Sequence, residues 1–274
     1  MTETILECKN LYKSFNTKNS TIKAVDGINL SVKRGECYGL VGESGSGKST
    51  LSSLICAIQN ADSGEIVFDG QKIFDKKENS KNLFQKKRLQ TSNKIKEFRK
   101  KCQIIFQDSS SSLNPKMKIA SIIEEPLIIH KIAKSKKERL GLVNEMRTLV
   151  GLPPDCLEKY PSQLSGGQRQ RVAIAAAMIL KPEFVICDEC VSALDVLIQS
   201  QILNLLKSMQ KSLNLTYIFI SHNLNVVAYM ADRIGVMYRG KIIEEKTTEI
   251  LLESPEQDYT KSLLFAAGLL DSND

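Results

Sequence analysis

The spacing of apolar residues divides the chain into short strand-like runs and longer helical stretches. Residues 5–15 read as a strand followed by a turn, and 36–41 as a short apolar strand that runs into a glycine-rich loop. A helical repeat of apolar positions follows over 48–58. Asp62-Ser63-Gly64 and Asp69-Gly70 bracket a further short strand, 65–68, because Asp-Gly and Ser-Gly steps favour turns. Residues 103–106 have the pattern of a buried strand. From 114 to 180 the pattern is helical, with breaks expected at Pro126, Pro153-Pro154 and Pro161. Strands return at 184–188, 216–220 and 233–238, with a long helical stretch between the first two. Arg239-Gly240 then turns the last strand into 241–245 as a hairpin. Strands alternating with helices predict a parallel sheet covered on both faces, with the helical middle as an inserted subdomain. No internal repeat is visible, so the chain carries one copy of this unit.

Composition changes this picture little. At 274 residues, 42% hydrophobic and 25% charged, the chain resembles an ordinary globular protein with a proper core. The longest apolar run, 172–180, is about half of the roughly 18 residues that a membrane span needs. The opening Met1-Thr2-Glu3-Thr4 lacks the basic start and apolar stretch of a signal peptide. A cytosolic protein is expected, reaching a membrane only through a partner. The 7 cysteines are scattered without a disulfide-like framework, which suits a reducing compartment. Cys187 and Cys190 form a CxxC, but no second pair accompanies it and the spacing is read as incidental.

Charge is more informative once it is localised. The net charge is +7, yet residues 72–101 hold twelve Lys/Arg against Asp75, Glu78 and Glu97. That segment carries +9 and leaves −2 for the rest, so no nucleic-acid surface is expected on the body of the protein. A loop plus a solvated surface helix is the ordinary reading of such a run, and attraction to anionic lipid headgroups the sharper one.

Two motifs carry chemistry on their own. Gly42-Glu43-Ser44-Gly45-Ser46-Gly47-Lys48-Ser49 matches the phosphate-binding pattern GxxxxGK[ST] and lies between a predicted strand and a predicted helix. Gly45 and Gly47 let backbone N–H groups turn inward, the helix start adds positive potential, and Lys48 supplies a point charge. Ser49 offers a hydroxyl to Mg²⁺, and Thr50 joins 42–49 as a nucleotide-binding residue. Phe184-Val185-Ile186-Cys187-Asp188-Glu189 is a buried strand ending in two carboxylates. Asp188 is suited to the Mg²⁺ shell and Glu189 to polarising an attacking water.

A third motif narrows the class. Leu164-Ser165-Gly166-Gly167-Gln168-Arg169-Gln170-Arg171 opens the helix that runs to Leu180, with Ser165 as its N-cap beside unpaired first-turn N–H groups. This stretch resembles the signature of ATP-binding cassette (ABC) proteins. The resemblance implies that two cassettes pack head to tail, each ATP lying between one phosphate loop and the other's Ser165, Gly166, Gly167 and Gln168. It further implies that Gln107 senses Mg²⁺ and the attacking water, that His222 contacts the γ-phosphate, and that 192–195 touches the opposite subunit. Adenine would stack on an aromatic ring, best aligned at Phe15 with Tyr12 as the other candidate. His130 has no such context and reads as a surface residue.

Over nearly the whole chain the resemblance is to the oligopeptide, dipeptide and nickel importer branch of that family. It rests on Ala24-Val25-Asp26-Gly27, Gly39-Leu40-Val41-Gly42-Glu43-Ser44, Phe106-Gln107-Asp108, Ser112-Leu113-Asn114-Pro115, Val191-Ser192-Ala193-Leu194-Asp195 and Gly235-Val236-Met237-Tyr238. Ser254-Pro255 with 258–264 looks like that branch's C-terminal extension, expected to dock on the body or on a partner. Ser109, Cys190 and Asn223 depart from the pattern, the last by removing a charge beside His222. The implied fold is an α/β P-loop NTPase (RecA-like) with a parallel-sheet core, an N-terminal antiparallel β subdomain and an inserted α-helical subdomain. The implied domains are a cassette over 5–252, its helical part about 108–180, and an extension over 253–274. The implied function is ATP hydrolysis, with ATP and Mg²⁺, driving import of di- or oligopeptides. Nickel or metal-chelate import is the alternative, and a non-transport ABC ATPase lies further off. Implied partners are a second ABC ATPase subunit, two transmembrane permease subunits and, indirectly, an extracytoplasmic substrate-binding protein, at the cytoplasmic face of the membrane.

Overall fold

The computed structural model describes residues 3–16, 20–75, 90–108 and 112–270, excepting the side chains of 75 and 90–93. Its strands are β1 (Thr4–Asn16), β2 (Thr21–Lys33), β3 (Cys37–Val41), β4 (Ser63–Phe68), β5 (Gln71–Asp75), β6 (Cys102–Ile105), β7 (Phe184–Asp188), β8 (Thr216–Ile220), β9 (Arg233–Tyr238) and β10 (Lys241–Thr247). Its helices are α1 (Lys48–Ile55), α2 (Gln90–Lys101), α3 (Ile119–Ile129), α4 (Lys136–Leu149), α5 (Gly166–Met178), α6 (Val196–Leu213), α7 (Leu224–Met230), α8 (Thr248–Glu253) and α9 (Asp258–Ala266). The chain divides into two units, one of residues Met1–Phe98 with Thr216–Asp274 and the other of Arg99–Leu215.

In the first unit β1 pairs antiparallel with β2 and β4, and β4 with β5. β2 is not legible in the sequence because Asp26, Gly27 and Asn29 look like a turn. The structure shows why they sit in a strand. Pairing jumps from Leu11 with Ile28 to Tyr12 with Asp26, so Gly27 is an unpaired bulge residue, at φ +74°. β5 likewise escapes a reading that sees only the basic residues around it.

The other sheet strands of this unit place the chemistry. β3 runs parallel to β8 and β9, and β10 returns antiparallel to β9 as the predicted hairpin. Every residue of β3 and β8 is buried, and such two-sided burial is what an unbroken apolar run encodes. The C-terminal segment belongs to this unit as well. Thr260 and Leu264 of α9 are fully buried, and Asn225 Nδ2 donates to the Ala267 carbonyl at 2.9 Å. The extension therefore docks on the chain's own body.

In the second unit β6 and β7 form a parallel pair, and α3 lies against α4 and α5. Pro126 does not break the helical pattern as expected but sits inside α3. An interior proline costs about 3 kcal/mol locally. Ile119, Ile122, Ile123 and Leu127 are buried along the same helix and outweigh it. Pro154 and Pro161 instead open short 3-10 turns. Of the basic segment, α2 carries the last 12 residues, with Phe98 buried edge-on against Phe68 at 5.1 Å in the first unit. Residues 76–89, and the departure at Ser109, lie outside the described residues.

Candidate nucleotide site

The glycine-rich loop leaves the C-terminal end of β3 and enters α1. Gly42, Gly45 and Gly47 have φ of +153°, +82° and +109°. Only Gly47 and Gly42 are also crowded. A Cβ on Gly47 would collide with the Ala24 carbonyl oxygen, and one on Gly42 with that of Met237. The loop is pinned at its far end by the Gly240 N–H, which donates to the Ser46 carbonyl at 2.9 Å. Lys48 is 4% exposed, and its ammonium donates to the carbonyls of Gly42 at 2.7 Å and Glu43 at 2.8 Å and to Ser46 Oγ at 3.4 Å. Gly47 caps α1 without a side-chain hydrogen bond, so no capping side chain occupies the helix start. Glu43, Ser44, Gly45 and Ser49 are exposed and Thr50 half-buried.

The remaining first-unit candidates are more loosely defined. Phe15 lies near the end of β1, exposed, with the Lys13 ammonium 5.5 Å from its ring centroid. Tyr12 packs its ring over Gly27 and lines a pocket of about 550 Å³ between β2 and β10. That wall role makes Phe15 the better stacking candidate. His222 is exposed just after β8. Asn223, the departure beside it, caps α7 by accepting from the N–H of Asn225 at 3.0 Å and of Val226 at 3.4 Å. Asparagine and aspartate cap equally well, so the helix tolerates the change.

In the second unit the structure gathers the carboxylates, Gln107 and the signature motif. Asp188 ends β7 and is buried, while Glu189 follows half-buried with φ +49°. A non-glycine residue in this left-handed region costs on the order of 1–3 kcal/mol, a strain that concentrates at functional sites. Gln107 Nε2 donates to Ser192 Oγ at 3.3 Å, and Ser192 Oγ donates to the Glu189 carbonyl at 2.9 Å. Ser192 therefore ties Gln107 to the backbone of Glu189. The motif reading noted Ser192 only as part of a loop, since nothing in sequence spacing reveals this bridge.

Ser165 caps α5 as expected. Its Oγ accepts from the Gln168 N–H at 3.2 Å, and Gln168 Oε1 accepts from the Ser165 N–H at 3.0 Å, a reciprocal capping box. Gly167 allows the start of α5 to lie against Ile198, whose Cγ2 a Cβ would overlap. A small pocket of about 80 Å³ is lined by Gln107, Asp108, Gly166, Arg169, Gln170, Cys190, Ala193 and Leu194. The second departure, Cys190, is thus a buried wall of this pocket, where its small apolar side chain fits.

A family model described as ABC transporter matches residues 25–192. The chain belongs to the ABC transporter family. Among curated relatives it is 48% identical over 271 residues to the oligopeptide transport ATP-binding protein OppF of Bacillus subtilis (strain 168), covering 99% of this chain and 85% of that protein. It is 44% identical over 263 residues to the dipeptide transport ATP-binding protein DppF of Lactococcus lactis subsp. cremoris (strain MG1363), covering 95% and 80%. Among solved structures, an ATP-binding cassette dimer in a post-hydrolysis state with ADP and Pi aligns at a TM-score of 0.74 and 29% identity, covering 89% of this chain and 99% of that one. The CbiO1 subunit of a Clostridium perfringens ABC transporter complex aligns at 0.76 and 28%, covering 97% and 95%. The ABC cassette fold read from the sequence is therefore the fold of this chain, and its antiparallel sheet and parallel strands are those of the ABC ATPases.

Proposed function

We propose that this chain is the ATP-binding, ATP-hydrolysing subunit of an ABC importer that takes up oligopeptides or dipeptides. The observation that carries the ATPase is the Gly42–Ser49 loop. A lysine ammonium is held within it by carbonyls, and Gly42 and Gly47 stand where any Cβ would meet backbone. A loop built to this tolerance suits close approach of phosphate oxygens to backbone N–H groups. The peptide substrate is supported by relatives named as oligopeptide and dipeptide transport ATP-binding proteins, aligned over nearly the full chain.

The roles follow from the residue types. The N–H groups of 42–50 and Lys48 bind phosphates, and Phe15 stacks on adenine. Ser49, Gln107 and Asp188 are the oxygen donors that would hold Mg²⁺, which when bound neutralises charge on the phosphates. A buried aspartate at a strand end fits that demand for a hard, fixed ligand. Glu189 takes a proton from water as its oxygen attacks the γ-phosphorus and the bond to the β-phosphate bridging oxygen breaks, releasing ADP and phosphate. His222 steadies the γ-phosphate. Ser165, Gly166, Gly167 and Gln168 meet the nucleotide of a second subunit, a reading supported by an ATP-binding cassette whose solved structure is a dimer bound to ADP and Pi. No described helix is long and apolar enough to cross a membrane. The resemblance to ABC importers implies that two transmembrane permease subunits form the path. An extracytoplasmic binding protein would deliver substrate to them. In this reading the cassette spans 5–252, with its helical part at about 108–180, and the extension 253–274.

The decisive experiment deletes the gene and supplies an essential amino acid only as di- or oligopeptides. Growth should fail and be rescued by the free amino acid. Unchanged peptide uptake with falling cellular nickel would move the assignment to metal import.

A further inference from the structure

We propose that Tyr259, in the C-terminal extension, is a positioning residue for the nucleotide loop. This rests on the reading that Gly42–Ser49 binds ATP phosphates. The Glu43 N–H donates to Tyr259 Oη at 2.9 Å, while the Glu43 carbonyl accepts from Lys48 at 2.8 Å. The second residue of the loop is thus held on both sides, by the extension and by the phosphate-binding lysine.

The extension is built to keep that hydroxyl in place. The Tyr259 ring packs on Tyr238 with centroids 4.3 Å apart, and the Arg239 guanidinium lies 5.0 Å from the Tyr238 ring. The next residue of that hairpin, Gly240, supplies the N–H that pins Ser46 at the other end of the loop. α9 lacks a side-chain cap of its own. Instead the buried Glu244 carboxylate on β10 accepts from the N–H of Glu256 at 2.7 Å and of Gln257 at 3.0 Å. Burial pushes that carboxyl up, but these bonds, with the Thr260 side chain and Lys246, hold it below the usual carboxylate range. Burial likewise raises the Tyr259 hydroxyl above its ordinary value, so it stays neutral and able to accept. Strand, hairpin, extension and loop therefore form one chain of fixed contacts, and the extension is part of the nucleotide site.

The test uses the full chain and MgATP. Tyr259→Phe keeps the ring packing and removes only the acceptor. It should raise the Kd and KM for MgATP about three- to tenfold, the worth of one hydrogen bond, while kcat changes less than about twofold. It should also speed amide hydrogen exchange at Glu43 and leave Leu40 of β3 unchanged. Leu264→Ala, which empties a fully buried site on the same helix but retains the tyrosine, should lower the melting temperature with little change in Kd. Wild-type MgATP affinity and Glu43 exchange in Tyr259→Phe overturn the proposal. So does an equal loss of affinity in the two variants, or a fall in kcat at unchanged KM. Lys48→Ala separates the two readings. If it binds MgATP normally, the nucleotide site itself is misassigned. If it loses MgATP while Tyr259→Phe does not, only the positioning role is lost.

Discussion

The two glycine-rich helix starts of this chain look alike in sequence and differ in construction. At α1 the cap is Gly47 with φ +109°, with no side-chain cap, and a buried lysine fills the loop. At α5 the cap is Ser165 in extended backbone, exposed, and its capping box satisfies first-turn groups from within. The first is a cradle of left-handed glycine backbone folded around a buried lysine. The second is a self-sufficient helix end that offers a surface. The contrast teaches that, on the proposed function, a loop that binds phosphate and a loop that faces a partner place different demands on the same residue types. One needs backbone no other residue can adopt, and the other needs only a good cap and close packing.

The sharpest way to break the comparison is to remove the charges assigned to the reaction, the lysine of the cradle first. Lys48→Ala should abolish measurable MgATP binding, read by equilibrium titration. Glu189→Gln should bind ATP normally and lose about 10²- to 10⁴-fold in phosphate release, the worth of a general base. Wild-type turnover in that variant would remove Glu189 from the mechanism.

Ser165→Arg tests the other side. Hydrolysis and ATP-dependent dimerisation should be lost while the affinity of the single subunit for ATP stays near normal, as gel filtration and titration would show. A loss of affinity like that of Lys48→Ala would mean that both loops serve one subunit's nucleotide.

Stability should separate the loops next. Gly47→Ala forces a side chain into the Ala24 carbonyl at a left-handed φ, and should cost about 1–3 kcal/mol in thermal unfolding. Gly166→Ala meets only Leu194 Cδ2 at 3.6 Å, and should stay within about 0.5 kcal/mol of wild type. Equal costs would erase the distinction. The smallest effect is expected for Asn223→Asp, within about 0.5 kcal/mol, since either residue accepts the same two N–H groups.

Most strands that present these loops were legible because two-sided burial writes itself as an apolar run. β3, β7, β8 and β9 all fall where the pattern places them. β2 was hidden by turn-forming residues that serve a bulge, and Pro126 was read as a stop although burial carries α3 through it. Both failures share a cause. Local propensity is worth about 1 kcal/mol for most residues and about 3 kcal/mol for an interior proline, and packing along a whole element overrides it.

By itself the sequence determined the family, the phosphate loop, the paired carboxylates at 188–189 and the capping serine of the signature. Those are short motifs whose chemistry depends on neighbours within a few positions, so spacing is enough to find them. Only the tertiary structure decided that Ser192 joins Gln107 to Glu189, that Gly240 pins Ser46, and that Tyr259 reaches the Glu43 N–H across 216 positions of chain. A hydrogen bond between distant segments leaves no periodicity behind, because either partner alone is an ordinary polar residue.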